Sequence, residues 1–174
     1  MAQLWISGTL HNIYSIGMAL EQEGFKIINN ITWQENKSTT KLSMSMLHTI
    51  LTETYFSGTK KNDKKSRHFF DYQKMKKMNG GKQMKDVWTG ALTKPSEKTE
   101  GKHPTQKPEY LLEKIVLAST EKGQVILDPF CGSGTTGVEA VRFGRKFVGI
   151  DVSEEYLEIS KRRLEKVKID AKEH

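Results

Sequence analysis

An α/β fold with parallel strands is predicted by three features of the sequence. Residues 124–168 alternate strand, helix, strand and helix; a glycine loop joins the first of these strands to its helix; and residues 4–33 alternate strand, helix and strand.

The elements follow in order. Leu4-Trp-Ile-Ser7 is a short apolar strand, and Ile13, Ile16, Gly17 and Leu20 recur at helical spacing. Gly24 stands where a helix cap belongs, and Phe25 to Trp33 is rich in β-branched and aromatic residues, which marks a second strand. From Gln34 to about Gly101, Ser, Thr, Asn and Lys dominate and periodicity fades, so this stretch is expected to be irregular, with a turn at Asn79-Gly-Gly81. Pro108, at a first helical position, leads into the apolar stripe Tyr110, Leu111, Ile115, Leu117 and Ala118.

Gln124 to Asp128 reads as a buried strand, Thr135 to Phe143 as a helix, and Lys146 to Asp151 as the next strand. A last helix runs from Ser153 to Lys168, with Ser153 as N-cap and Glu154 and Glu155 at the positive end of its dipole. Such a unit implies parallel strands.

Composition narrows the classes. The 174 residues suit one domain, and neither a secretory leader nor a membrane-spanning run is visible, so a soluble, cytoplasmic protein is expected. The single cysteine, Cys131, excludes an internal disulfide and leaves too few thiolates for a structural zinc site, and His103 has no partner at ligand spacing. Of the net charge of +7, the segment Lys60 to Lys85 carries more than the whole: ten Lys or Arg (Lys60, Lys61, Lys64, Lys65, Arg67, Lys74, Lys76, Lys77, Lys82, Lys85) face only Asp63 and Asp71. A lysine-rich run is often only a solvated face, but one this concentrated also suits a polyanion.

Gly132-Ser-Gly134-Thr-Thr-Gly137 fits the G-x-G-x-x-G pattern between a strand and a helix, with Asp151 ending the next strand. By pattern alone this could bind NAD. Asp128, immediately before the loop, argues otherwise, because a carboxylate there repels a pyrophosphate and attracts an ammonium. S-adenosylmethionine carries an ammonium and a sulfonium and no phosphate, and Asp151 can accept from its ribose hydroxyls.

Asp128-Pro-Phe-Cys-Gly-Ser-Gly-Thr-Thr136, preceded by Gly101-Lys-His-Pro-Thr-Gln-Lys-Pro108, resembles the paired cofactor motifs of the β-group amino-methylating DNA methyltransferases of restriction-modification systems. Leu4 to Ile13 and Asn79 to Trp88 are similar to this family too. The resemblance implies a Rossmann-like S-adenosylmethionine-dependent fold in circularly permuted order, the catalytic half first, and methylation of adenine N6, in preference to cytosine N4, in double-stranded DNA.

It divides the chain into a remnant of the catalytic half (1–33), a basic region for DNA contact or target recognition (34–101) and the cofactor half (102–174). It also implies cofactor contacts from Lys102, His103, Pro104, Thr105, Gln106, Asp128, Pro129, Phe130, Gly132, Ser133, Gly134, Thr135 and Asp151.

One family motif is missing. The catalytic Asp-Pro-Pro-Tyr type of sequence, which accepts hydrogen bonds from the target amine and stacks on the flipped base, needs Pro-Pro, and the four prolines, Pro95, Pro104, Pro108 and Pro129, are all isolated. The expectation is therefore an N-terminally truncated or split enzyme with an incomplete central sheet and no catalytic residue assigned, in which a second chain supplies the motif. The rival is a non-catalytic module that binds cofactor and DNA. Glu35 to Thr40 also departs from the proline-rich segment that relatives often carry there.

Single residues have plainer readings. Cys131 fills space in the loop, His103 is a loop histidine near the cofactor, and Trp5, Trp33 and Trp88 are core aromatics, with base stacking as an alternative for Trp88.

Overall fold

The computed structural model describes residues 3–9, 11–35, 52–60 and 68–170. The chain divides into two compact units, one formed by Met1–Phe69 and Lys82–Ala91, the other by Phe70–Gly81 and Leu92–His174.

The first unit holds β1 (Leu4–Gly8), α1 (Ile13–Gln22), β2 (Phe25–Glu35), β3 (Thr52–Lys60) and β4 (Val87–Gly90). Its sheet has the order β1-β3-β2-β4. β3 runs antiparallel to both β1 and β2, whereas β4 is parallel to β2, with Trp33 opposite Trp88. The apolar stripe of α1 buries Ile13 and Leu20 against Leu4, Ile6, Ile16, Phe25 and Ile27. Glu23 caps α1, and Gly24 follows it in the left-handed region, as the sequence predicts.

The second unit holds α2 (Tyr72–Met78), a 3₁₀ turn at Pro95–Lys98, α3 (Glu109–Ser119), β5 (Val125–Asp128), α4 (Thr135–Arg142), β6 (Lys146–Gly149) and α5 (Glu154–Asp170). β5 and β6 are parallel neighbours, register Val125 to Lys146 through Asp128 to Gly149, so β5-α4-β6 is the expected unit. α4 packs between α3 and α5, and the core is built from Leu111, Ile115, Val116, Ala118, Val138, Ala140 and Ile159.

Two sequence expectations need correction. The stretch 34–101 is not uniformly irregular: it carries β3, α2, β4 and the 3₁₀ turn. β3 gains its order from pairing on both sides, which local composition does not encode, and α2 from Asp71, whose side chain accepts from the Lys74 amide at 3.0 Å. Pro108 is the N-cap of α3 rather than its first helical residue, with extended backbone at ψ 144°. Residues 36–51 and 61–67, which include the Asn36 to Thr40 departure and Lys61, Lys64, Lys65 and Arg67, lie outside the described residues.

Candidate cofactor site

The glycine loop owes its shape to two left-handed glycines, Gly132 at φ +51° and Gly134 at φ +74°. Neither admits a side chain. A Cβ on Gly132 would stand 2.9 Å from His103 Nε2, and one on Gly134 would collide with the Ser160 hydroxyl. Cys131 to Thr135 are buried, and the Cys131 amide donates to the Ile150 carbonyl at 2.9 Å, which ties the loop to the chain leaving β6.

Two carboxylates frame the loop. Asp128 ends β5 and is half-buried; its Oδ1 accepts from the Phe130 amide at 3.1 Å. Asp151 follows β6: its Oδ2 accepts from the Gly132 amide at 2.8 Å and its Oδ1 from the Ser153 amide at 2.9 Å. The hydrogen bonds from Ser153 and Gly132 hold the Asp151 carboxyl below its usual range, so it is ionised at neutral pH. An ionised carboxylate has about four lone-pair directions, so acceptor capacity remains for a ligand.

His103 approaches from the other expected segment. Its ring meets Tyr156 edge to face at 4.2 Å between centroids, and its Nδ1 accepts from the Thr105 amide at 3.3 Å. Burial lowers the His103 pKa, against the opposing pull of Asp151, so the ring is neutral near pH 7.

The structure thus brings His103, Gly132, Ser133, Gly134, Thr135 and Asp151 together, with Asp128, Pro129 and the 87%-exposed Phe130 along the loop's outer rim. Lys102, Pro104 and Thr105 are exposed on the neighbouring turn. Gln106 faces elsewhere: it is buried, and its Nε2 donates to the Glu97 carbonyl at 2.7 Å.

Several residues escape sequence reasoning. Val152 is fully exposed directly after Asp151, Tyr156 supports His103, and Arg163 reaches the loop from the third turn of α5. Only Val152 carries a signal, an apolar residue next to a strand-end acid. Cys131 is 7% exposed and its thiol is pushed up by burial, in keeping with a packing role. Trp88 is buried and donates to the Lys85 carbonyl at 2.8 Å, which leaves no face for a base to stack on and makes it a core aromatic.

A family model described as DNA methylase matches residues 2–162. The chain belongs to the DNA methylase family. The chain is 65% identical over 163 residues to the type II methyltransferase M2.LlaDCHI of Lactococcus lactis subsp. cremoris, and 65% identical over 162 residues to M2.DpnII of Streptococcus pneumoniae. These alignments cover 94% and 93% of the chain but 60% of each relative, so the chain spans about three fifths of their length.

Among solved structures, the M1.HpyAVI–SAM complex superposes with a TM-score of 0.77 at 29% identity, covering 94% of this chain and 74% of that one. The α/β fold is therefore Rossmann-like, as expected. The described strands form two sheets, with β1 at an edge of one and β5 at an edge of the other.

Proposed function

We propose that this chain is the cofactor-binding part of a cytoplasmic S-adenosylmethionine-dependent DNA methyltransferase of a restriction-modification system, acting on adenine N6 in preference to cytosine N4. The observation that carries the reading is the pairing of strand-end acids at the glycine loop: Asp128 before Gly132-Ser-Gly134, and Asp151 bonded to the Gly132 amide.

The residues present fit this cofactor. Asp128 suits the ammonium of its methionine end, Asp151 has acceptor capacity left for the ribose hydroxyls, and the exposed Val152 and Phe130 offer apolar surface to the adenine ring. His103, Thr105 and the backbone of Gly132 to Thr135 close the methionine end, flanked by Lys102 and Pro104. When bound, the cofactor supplies an electrophilic methyl on its sulfonium. The chain's contribution is to orient that methyl and to keep water from it, and proximity of this kind accounts for much of the rate in group transfer.

The target amine needs an acceptor that these 174 residues lack, since no Pro-Pro occurs among them. A second polypeptide segment carrying it is supported by the edge of β5 that pairs with no strand among the described residues. Residues 1–33 then belong with the catalytic half, 34–101 with DNA contact, and 102–174 with the cofactor.

Transfer of labelled methyl from S-adenosylmethionine to mixed-sequence DNA tests this arrangement. The chain alone should give no label, and the chain with a polypeptide bearing the Pro-Pro strand should give label. Incorporation by the chain alone would overturn the need for that segment, and failure of the mixture would overturn the complementation.

A further inference from the structure

Arg163 is a guanidinium buried to 5% exposure behind the glycine loop. Its Nη1 donates to the Ser133 carbonyl at 2.8 Å, the Thr135 hydroxyl at 3.0 Å and the Ser133 hydroxyl at 3.3 Å, while Nη2 donates to Glu109 Oε1 at 3.0 Å. Glu109 is itself anchored twice. Its Oε2 accepts from Arg142 Nη2 at 2.8 Å, and its backbone amide donates to Glu97 Oε2 at 2.8 Å.

This network reaches loop atoms that Asp151 does not hold. Asp151 holds the amide of the Cys131–Gly132 peptide and Arg163 the carbonyl of the Ser133–Gly134 peptide, so two peptides of the loop are gripped by opposite charges. Two left-handed glycines leave the loop backbone many conformations, and something must select one. Burying a guanidinium for packing alone is unfavourable, because its desolvation is offset only by a full set of well-placed acceptors. Here three of its four contacts are atoms of the loop.

We propose that Arg163, held in place by Glu109, is a positioning residue that sets the Ser133–Gly134 peptide and the Thr135 hydroxyl in the conformation that receives the methionine end of S-adenosylmethionine. The inference rests on the cofactor reading above. Arg163 does not touch the cofactor; it acts through the loop. The planar fork is what the site uses, since one guanidinium spans a carbonyl, two hydroxyls and a carboxylate, which a lysine ammonium on a flexible stem cannot do at once.

The test uses the 174-residue chain and its Arg163→Lys, Arg163→Gln and Glu109→Gln variants, with S-adenosylmethionine titrated by calorimetry and amide hydrogen exchange followed residue by residue. Arg163→Lys keeps the charge yet should bind about tenfold more weakly or worse, as expected for loss of charge-assisted hydrogen bonds to the loop. Exchange should rise at residues 132–135 and stay unchanged at 115–119 of α3. Glu109→Gln, which retains the backbone bond to Glu97, should give the same pattern in weaker form and remains informative if Arg163→Gln fails to fold.

Unchanged affinity in Arg163→Lys, or exchange rising evenly across α3, α4 and α5, would overturn the proposal. If the unsubstituted chain binds no S-adenosylmethionine, the cofactor reading falls, while exchange at 132–135 still decides whether Arg163 holds the loop.

Discussion

Asp128 and Asp151 carry opposite kinds of obligation. Asp151 is committed to the fold through two backbone amides, so its replacement disturbs the loop as well as any ligand. Asp128 makes one local hydrogen bond, to the Phe130 amide, and is the cleaner probe. Asp128→Ala should weaken S-adenosylmethionine binding by about tenfold or more while leaving the melting temperature within a few degrees, since a part-exposed carboxylate with one local bond contributes on the order of 1 kcal/mol to the fold. Equal affinities in calorimetry would remove Asp128 from the site.

Glu139 presents a different case. Its side chain is fully buried in α4, with one oxygen bonded to Arg142 and Oε2 without a partner, and burial pushes its pKa from 4.5 up to about 8 despite that arginine. A carboxyl raised in the folded state contributes stability that is whole below the unfolded pKa and is lost as pH rises through the folded one. Stability should therefore fall between about pH 4.5 and pH 8 with a component near 1.4 kcal/mol per pH unit for the one proton involved. Denaturant unfolding at several pH values should show this slope, and Glu139→Gln should flatten it; an unchanged slope in the variant would assign the effect to another group.

At the scale of elements, the loop between β5 and α4 tolerates little. Gly134→Ala would place a methyl group against Ser160 of α5 in a left-handed conformation, so it should lower stability by about 1–3 kcal/mol in urea unfolding and abolish cofactor binding. A variant that melts and binds like the parent would contradict the packing of α5 on the loop.

The same region was the most legible in the sequence. Residues 124–168 announce themselves because each strand is apolar, each helix has a cap or dipole signal, and the glycines fall between them. β3 was illegible for the opposite reason. Its Thr-Glu-Thr-Tyr-Phe start is β-prone, but its order comes from two partners distant in sequence, which a local reading does not see. Arg163 was hidden too: within a run of basic residues on α5, sequence does not reveal that one of them turns inward to Ser133 while Lys161 and Arg162 are exposed.

For the whole molecule, charge and cofactor chemistry lead to separate tests. The described part of the basic segment exposes Lys74, Lys77, Lys82 and Lys85, and the sequence adds further lysines between Lys60 and Arg67. If about six phosphates are neutralised, affinity for double-stranded DNA should fall on the order of a thousandfold between roughly 50 and 200 mM salt, and a flat response in a fluorescence titration would discard DNA contact by this segment. No described helix is long and apolar enough to cross a membrane. The charge that the loop accepts is tested most directly by calorimetric titration of the chain with S-adenosylmethionine and, separately, with NAD. Saturable binding of S-adenosylmethionine with no heat from NAD is the predicted result, whereas binding of NAD, or of neither, would contradict it.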